Sequence, residues 1–222
     1  MPHRVRVWDL PTRLFHWALL ACVVGLFATA WIPGSWITWH ARLGYAVLSL
    51  LLFRLVWGFI GGRWSRFASF IYAPGSIINY LRGKPHPDHL IGHNPLGAGS
   101  VFAMLAFLLA QVATGLVADD EIAFIGPLNR FVAGAKGLAA TWYHKEVGQR
   151  VIMALVILHV IAILYYLIRK KDNLVRPMVV GDKPVDRESV VPSRDDAGSR
   201  LLALAVLAVC AGFVWWVSQL GG

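Results

Sequence analysis

The chain has 222 residues, 57% of them hydrophobic, and a mean hydropathy of +0.59. That is too apolar for a soluble domain of this length, so a bilayer protein is expected. The net charge of +9 does not indicate nucleic acid, because the basic residues flank apolar runs instead of forming one solvated face.

A span needs roughly 20 mostly apolar residues, so the length accommodates about five. The first run, residues 14–32, follows a basic tip as a signal peptide would. It carries Arg13 and His16 at its mouth, ends in Trp31, Pro33 and Trp36, and lacks a small-residue cleavage pattern, so it reads as a retained span. Further runs occupy 40–60, 96–118 and 144–168, and a fifth occupies 201–220. Segment 61–95 alternates short apolar and polar clusters broken by Pro74-Gly75, which predicts an interfacial stretch. Segment 171–200 is charged and interrupted by Pro177, Pro184 and Pro192, which predicts a flexible cytoplasmic loop. Cys22 and Cys210 lie in apolar runs outside any C-x-x-C-H motif, so covalent haem is excluded and both read as packing residues.

Loop charge gives an orientation. Arg4, Arg6, Arg13, Arg63, Arg66, Arg82, Lys84, Arg169, Lys170, Lys171, Arg176, Lys183, Arg187, Arg194 and Arg200 share the side of the N-terminus, against Arg42, Arg130, Lys136, Lys145 and Arg150 opposite. The positive-inside rule then places the N-terminus in the cytoplasm and, after five spans, the C-terminus in the periplasm. Trp31, Trp36, Trp39, Trp142, Trp215 and Trp216 mark the outer interface, and Trp8, Trp57 and Trp64 the inner one.

Ionisable groups inside a bilayer are costly, and here they are His16, His40, Arg54, His144 and His159. His16 begins the first span from the inner side and His40 the second from the outer side. His144 and His159 share the fourth span, separated by about 22 Å and about 60° in a regular helix. His40 is therefore level with His144, and His16 with His159, which gives two bis-imidazole levels of the kind a low-spin haem iron requires. The alternative for each histidine is a hydrogen-bonded helix contact. The expected fold class is an all-α integral membrane protein: a four-helix transmembrane haem-binding bundle over 1–170, with a fifth C-terminal helix over 201–220.

Arg54 follows His40 on the same face about 21 Å deeper, where it either meets a haem propionate or snorkels to the surface. Arg42 near the outer level and Arg13 near the inner level are further propionate candidates. Gly25, Gly44, Gly97, Gly99 and Gly115 either admit a flat macrocycle or pack helices closely, Gly44 being the haem-contact candidate beside the outer level. His86, His89 and His93 resemble a metal cluster, but the intervening prolines and glycine favour a turn that caps the third span, with His93 at the inner haem edge or the interface.

With these residues in place, the sequence resembles the bacterial cytochrome b561 and nickel–iron hydrogenase b-type cytochrome superfamily. The stretches that carry the likeness are VWDLPTRLFHW (7–17), WHARLG (39–44), GHNPLG (92–97), HKE (144–146) and LHV (158–160). The resemblance implies two b haems ligated by His16, His40, His144 and His159. It also implies electron transfer between membrane quinone and an outer redox partner, a periplasmic c-type cytochrome or a hydrogenase. Trp8 and Asp9, at the inner level, are the quinone candidates. The inner membrane is the expected location, with lipid and quinol as partners, no nucleic acid, and a homodimer neither demanded nor forbidden. Electron exchange is expected through the 119–143 loop, where Asp119, Asp120, Arg130 and Lys136 tune docking. Two alternatives stay open. One is a superoxide oxidase steered by Arg42, Lys136, Lys145 and Arg150; the other is a non-haem transporter.

Overall fold

A computed structural model describes residues 3–32, 34–84, 86–185 and 189–221; Pro33 and Arg187, which enter the sequence reading, lie outside them. The protein is all-α, as its sequence implies. Among the described residues, five stretches are long and apolar enough to cross a membrane: α1 (Leu10–Trp31), α2 (Ile37–Ile60), α4 (Pro95–Val117), the continuous run Gly134–Ile168 and α8 (Ala197–Ser218). The fourth run is composite, with α5 (Gly134–Trp142), a π turn (Tyr143–Gly148) and α6 (Gln149–Ile168). Two short helices, α3 (Pro74–Leu81) and α7 (Val175–Val180), lie outside the spans.

Three of the long helices start on a polar side chain that captures a free backbone N–H, followed in two cases by a first-turn proline. Asp9 accepts from Thr12 N at 2.8 Å ahead of Pro11, Asn94 accepts from Gly97 N at 2.8 Å ahead of Pro95, and Asp196 accepts from Ser199 N at 2.7 Å.

The chain forms two compact units. The first comprises Met1–Phe15, Arg54–Ala103 and Ile157–Leu204; the second comprises His16–Phe53, Met104–Val156 and Ala205–Gly222.

In the first unit, residues 171–185 and 189–200 are held by specific hydrogen bonds, where the prolines predict a flexible loop. Strand β1 (His3–Arg6) pairs antiparallel with β2 (Asp182–Val185), from His3 opposite Val185 to Arg6 opposite Asp182. Between α7 and β2, Gly181 adopts φ +94°, and its carbonyl accepts from Val7 N at 2.9 Å and Trp8 N at 3.0 Å. A Cβ there would lie 2.8 Å from the Trp8 carbonyl, so the turn requires glycine. Further on, Ser193 donates to the Val7 carbonyl at 2.7 Å and Trp64 Nε1 donates to the Val191 carbonyl at 3.0 Å. The partners that order this segment are more than a hundred residues away, which is why local composition did not reveal them.

Trp8, Trp57 and Trp64, expected at the inner interface, are instead buried in this unit. Trp8 and Trp64 form a core with Val7 and Ile91. The outer set is exposed as a lipid-facing belt requires, with Trp31, Trp36, Trp39, Trp142, Trp215 and Trp216 all open to the surroundings. Among the described residues of 61–94, helix is confined to α3 and to short 3₁₀ turns at Arg63–Ser65, Phe67–Ser69 and Pro87–Leu90.

Asp195 ties residues 189–196 to β1, α1 and α8, accepting from Arg6 Nη1 at 3.0 Å, Leu10 N at 3.1 Å and Arg200 Nε at 3.0 Å. Burial pushes its carboxyl up, but the bonds from Arg200 and Leu10 and the charges of Arg200 and Arg6 outweigh this and hold it below the usual range. A depressed carboxyl stabilises the fold above its unfolded value, about pH 3.9, and loses that contribution as pH falls through the lower folded value. The protection of amides in β1 and residues 189–196, corrected for the intrinsic pH dependence of exchange, should therefore fall below about pH 4, and Asp195→Asn should remove that step.

Candidate functional site

The second unit contains a cavity of about 560 Å³, within the range of small-molecule and cofactor sites. Its wall is mostly apolar, including Val23, Leu26, Val47, Leu108, Val112 and Ile152, and two imidazoles face each other in it. His40 stands in the first turn of α2 and His144 in the π turn. Their ring centroids are 6.2 Å apart with planes inclined by 74°.

Both rings are held by Nδ1. His144 Nδ1 donates to the Gln111 carbonyl at 2.9 Å, which fixes the proton on that nitrogen because a carbonyl only accepts. Thr114 Oγ1 lies 3.3 Å from the same atom. His40 Nδ1 lies 3.1 Å from Thr29 Oγ1, whose proton is taken by the Gly25 carbonyl at 2.8 Å, so Thr29 accepts from His40. This tautomer leaves both Nε2 lone pairs for a metal, and such outer hydrogen bonds orient metal-binding histidines generally.

The spacing passes a simple test for iron. With metal–nitrogen bonds of about 2.0 Å and about 1.2 Å from nitrogen to ring centroid, linear ligation places two imidazole centroids about 6.4 Å apart. The observed 6.2 Å fits a single ion between them. Gly44 lines the cavity, and a Cβ added to it would meet nothing within 4 Å, so the wall is open where a flat ring would approach.

The π turn explains how one residue is aimed so closely. One extra residue in the turn frees a backbone carbonyl, a common device at functional sites. Here the His144 carbonyl accepts from Gln111 Nε2 at 3.0 Å. Gln111 therefore clasps His144 twice, by its own carbonyl and by its side chain. The irregular turn also means that the 60° offset of a regular helix does not describe His144 and His159.

His16 belongs to the second unit and His159 to the first. Both are half-buried members of spanning helices. Arg54, in the first unit, is 3% exposed and does not snorkel. Its Nη2 donates to the Ser65 carbonyl at 3.0 Å, and its guanidinium lies 4.8 Å from the Phe67 ring centre, while Nη1 is buried without a partner among the described residues. An anion such as a propionate would suit that atom. Arg13 Nη1 donates to the Val179 carbonyl at 2.5 Å. His93 sits between Trp8 and Phe70, with centroids at 4.7 and 4.5 Å. Among the described residues, no three of His, Cys, Asp and Glu gather as a metal set, and Asn94 caps α4 beside that turn.

Three candidates change role. Arg42 is exposed and stacks 5.1 Å over Trp39, away from the cavity lining; the basic residue in that lining is Lys145. Asp9 is fully buried and accepts from four donors: Thr12 N, Trp57 Nε1, Gly62 N and Ser65 Oγ. Trp8, at 8% exposure, is likewise enclosed, so neither presents a surface to a quinone head group. The sequence reading missed Thr29, Gln111 and Thr114. The signal was present: Gln111, Thr114 and Gly115 repeat at helical spacing inside an apolar span, where polar side chains need a reason.

Two tethered imidazoles across a cofactor-sized apolar cavity, on helices built for a membrane, have the geometry of a haem-ligating membrane protein. Comparison with known proteins gives the particular family. The model of the prokaryotic cytochrome b561 family matches residues 7–181, and the chain belongs to that family, a family of membrane b-type cytochromes that carry electrons. It is 26% identical to the probable Ni/Fe-hydrogenase 1 B-type cytochrome subunit of Escherichia coli K12, over 79% of this chain and 88% of that one. It is also 26% identical to a probable Ni/Fe-hydrogenase B-type cytochrome subunit of Cupriavidus necator, over 79% and 85%. The corresponding protein of Bradyrhizobium diazoefficiens is 21% identical over 81% and 85%. No solved structure gives a significant match.

Proposed function

We propose that the chain is a di-haem b-type cytochrome of the inner membrane, with one haem held by His40 and His144 and the other by His16 and His159. It carries electrons between quinone and a periplasmic partner, its N-terminus in the cytoplasm and its C-terminus in the periplasm. The single observation that carries the reading is the His40–His144 pair, 6.2 Å apart in its cavity with a tethered Nδ1 on each ring. For the second site the support is the family and the half-buried position of His16 on its helix. Names of relatives favour a hydrogenase as partner over a c-type cytochrome.

A bound haem supplies a one-electron couple. The chain's own residues supply the rest: Gln111 and Thr29 keep the two rings in one tautomer, Lys145 offers a cation for a propionate, and the apolar wall limits water. Superoxide oxidation is less favoured, because of the four basic residues invoked for steering only Lys145 lines the cavity, and Arg150 is paired with Glu146 at 2.6 Å.

Haem content of the purified protein tests the reading. A sharp reduced α-band and two haems per chain are expected. One haem per chain removes the His16–His159 site, and a colourless protein removes the function altogether.

A second test concerns Gly115. A Cβ there would lie 3.1 Å from His144 Cε1, so Gly115→Ala must push the ring aside by a few tenths of an ångström. Disturbing the partners of a ligand typically costs about 10–100-fold in affinity. Redox titration and haem content should show one of the two haems weakened and shifted in potential, the other unchanged.

A further inference from the structure

Beyond the end of α4, residues 118–128 form a loop outside the spanning helices, and Ile122 at its apex is 91% exposed, with Ile125 at 67%. An isoleucine left uncovered forgoes the gain of burial. The loop is nevertheless built to hold it out. Asp120 Oδ1 accepts from Ile122 N at 3.1 Å, Ala123 N at 2.9 Å and Phe124 N at 2.8 Å, and Asp119 Oδ1 accepts from Glu121 N at 2.9 Å. Gly126 N closes the base on the Ala118 carbonyl at 2.8 Å.

The mount is continuous with the site. Thr141 Oγ1 accepts from Asp119 N at 2.9 Å and donates to the Asp119 carbonyl at 2.8 Å, one turn before His144. Asp120, Phe124 and Thr141 all line the His40–His144 cavity. The loop that carries the apex therefore forms part of the cavity's own wall, and a rigid mount lowers the ordering cost of binding.

Charge selects the occupant. Glu121 is exposed beside the apex, with Asp119 and Asp120 half-buried just below it, in a chain whose net charge is +9. Burial pushes the Asp120 carboxyl up, but its three backbone N–H bonds and the charge of Lys145 outweigh this and keep it below the usual range, hence ionised. Anionic lipid headgroups would be repelled by such a collar. A protein face with lysines or arginines around a shallow apolar recess matches both the collar and the isoleucine.

We propose that the 119–125 loop is a docking knob for the soluble electron-transfer partner, a protein whose face has basic side chains around an apolar recess. This rests on the reading that electrons are exchanged at the His40–His144 end.

The test uses the full chain in nanodiscs with two probes, a lysine-rich and an acidic c-type cytochrome, and reads equilibrium binding by interferometry. The basic probe should bind, more weakly at high salt, and Ile122→Ser and Glu121→Lys should each weaken it about tenfold while leaving the haem α-band unchanged. Equal binding of the acidic probe, or wild-type binding by both variants, overturns the knob. A nitroxide on Ile122→Cys that is relaxed more by oxygen than by a water-soluble nickel chelate places the apex in lipid and also overturns it. Binding of the basic probe to protein that proves to hold no haem would leave the knob standing and remove the electron-carrier reading instead.

Discussion

Replacing His144 by alanine should remove about half of the bound haem, with the α-band of the remaining haem unchanged and the helices intact. His144 is the better fixed of the two imidazoles, since Gln111 holds both its ring and its backbone carbonyl. Without that ring the cavity would offer one imidazole to a haem that the proposed site holds with two. His40→Ala should produce the same loss, because the two ring centroids lie 6.2 Å apart in one cavity. Haem per chain from pyridine haemochrome spectra, beside circular dichroism, measures this. Full haem retention by either variant would contradict ligation by this pair. Loss of all haem with the helices preserved would contradict independent sites.

Asp9→Ala should be the most destabilising single substitution in the first unit, by about 3–5 kcal/mol, the usual consequence of removing one partner from a buried charged network. The substitution strips acceptors from Thr12 N, Trp57 Nε1, Gly62 N and Ser65 Oγ at once, and leaves the buried Arg54 without its nearby carboxylate. Each abandoned donor costs about 1–3 kcal/mol when it stays dry. Arg54→Met in the Asp9→Ala background should recover part of the loss, because removing both charges avoids an uncompensated one. Thermal unfolding in detergent reads both variants. A loss below about 1 kcal/mol for Asp9→Ala would show that water reaches the network.

The same side chain shows how a motif and its role can separate. Asp9 stands in VWDLPTRLFHW, within the stretch that carries the family likeness, and its place before Leu10-Pro11 marks a helix start in the sequence alone. Its other three donors come from residues 57, 62 and 65, which only chain packing brings to it. Trp8, Trp57 and Trp64 differ from expectation for the same reason, since a tryptophan near a span end reads as an interface anchor until its neighbours are known.

Hydropathy by itself determined the membrane class and the five spans, because spanning a hydrocarbon layer imposes a length and an apolarity that one-dimensional composition records directly. The cost of placing an imidazole in such a span likewise singles out His40 and His144 by residue type and position alone. Tertiary structure decided what composition does not encode. Residues 182–185 pair with β1 and Val191 accepts from Trp64, across gaps in sequence that local propensity cannot span. It also decided that Lys145, not Arg42, lines the cavity, because a side chain's direction depends on the helix phase and on the π turn that resets it. Gln111 and Thr114 became partners of His144 only when α4 packed against the π turn, since hydrogen bonds act over about 3 Å and the chain places these residues 30 or more positions apart.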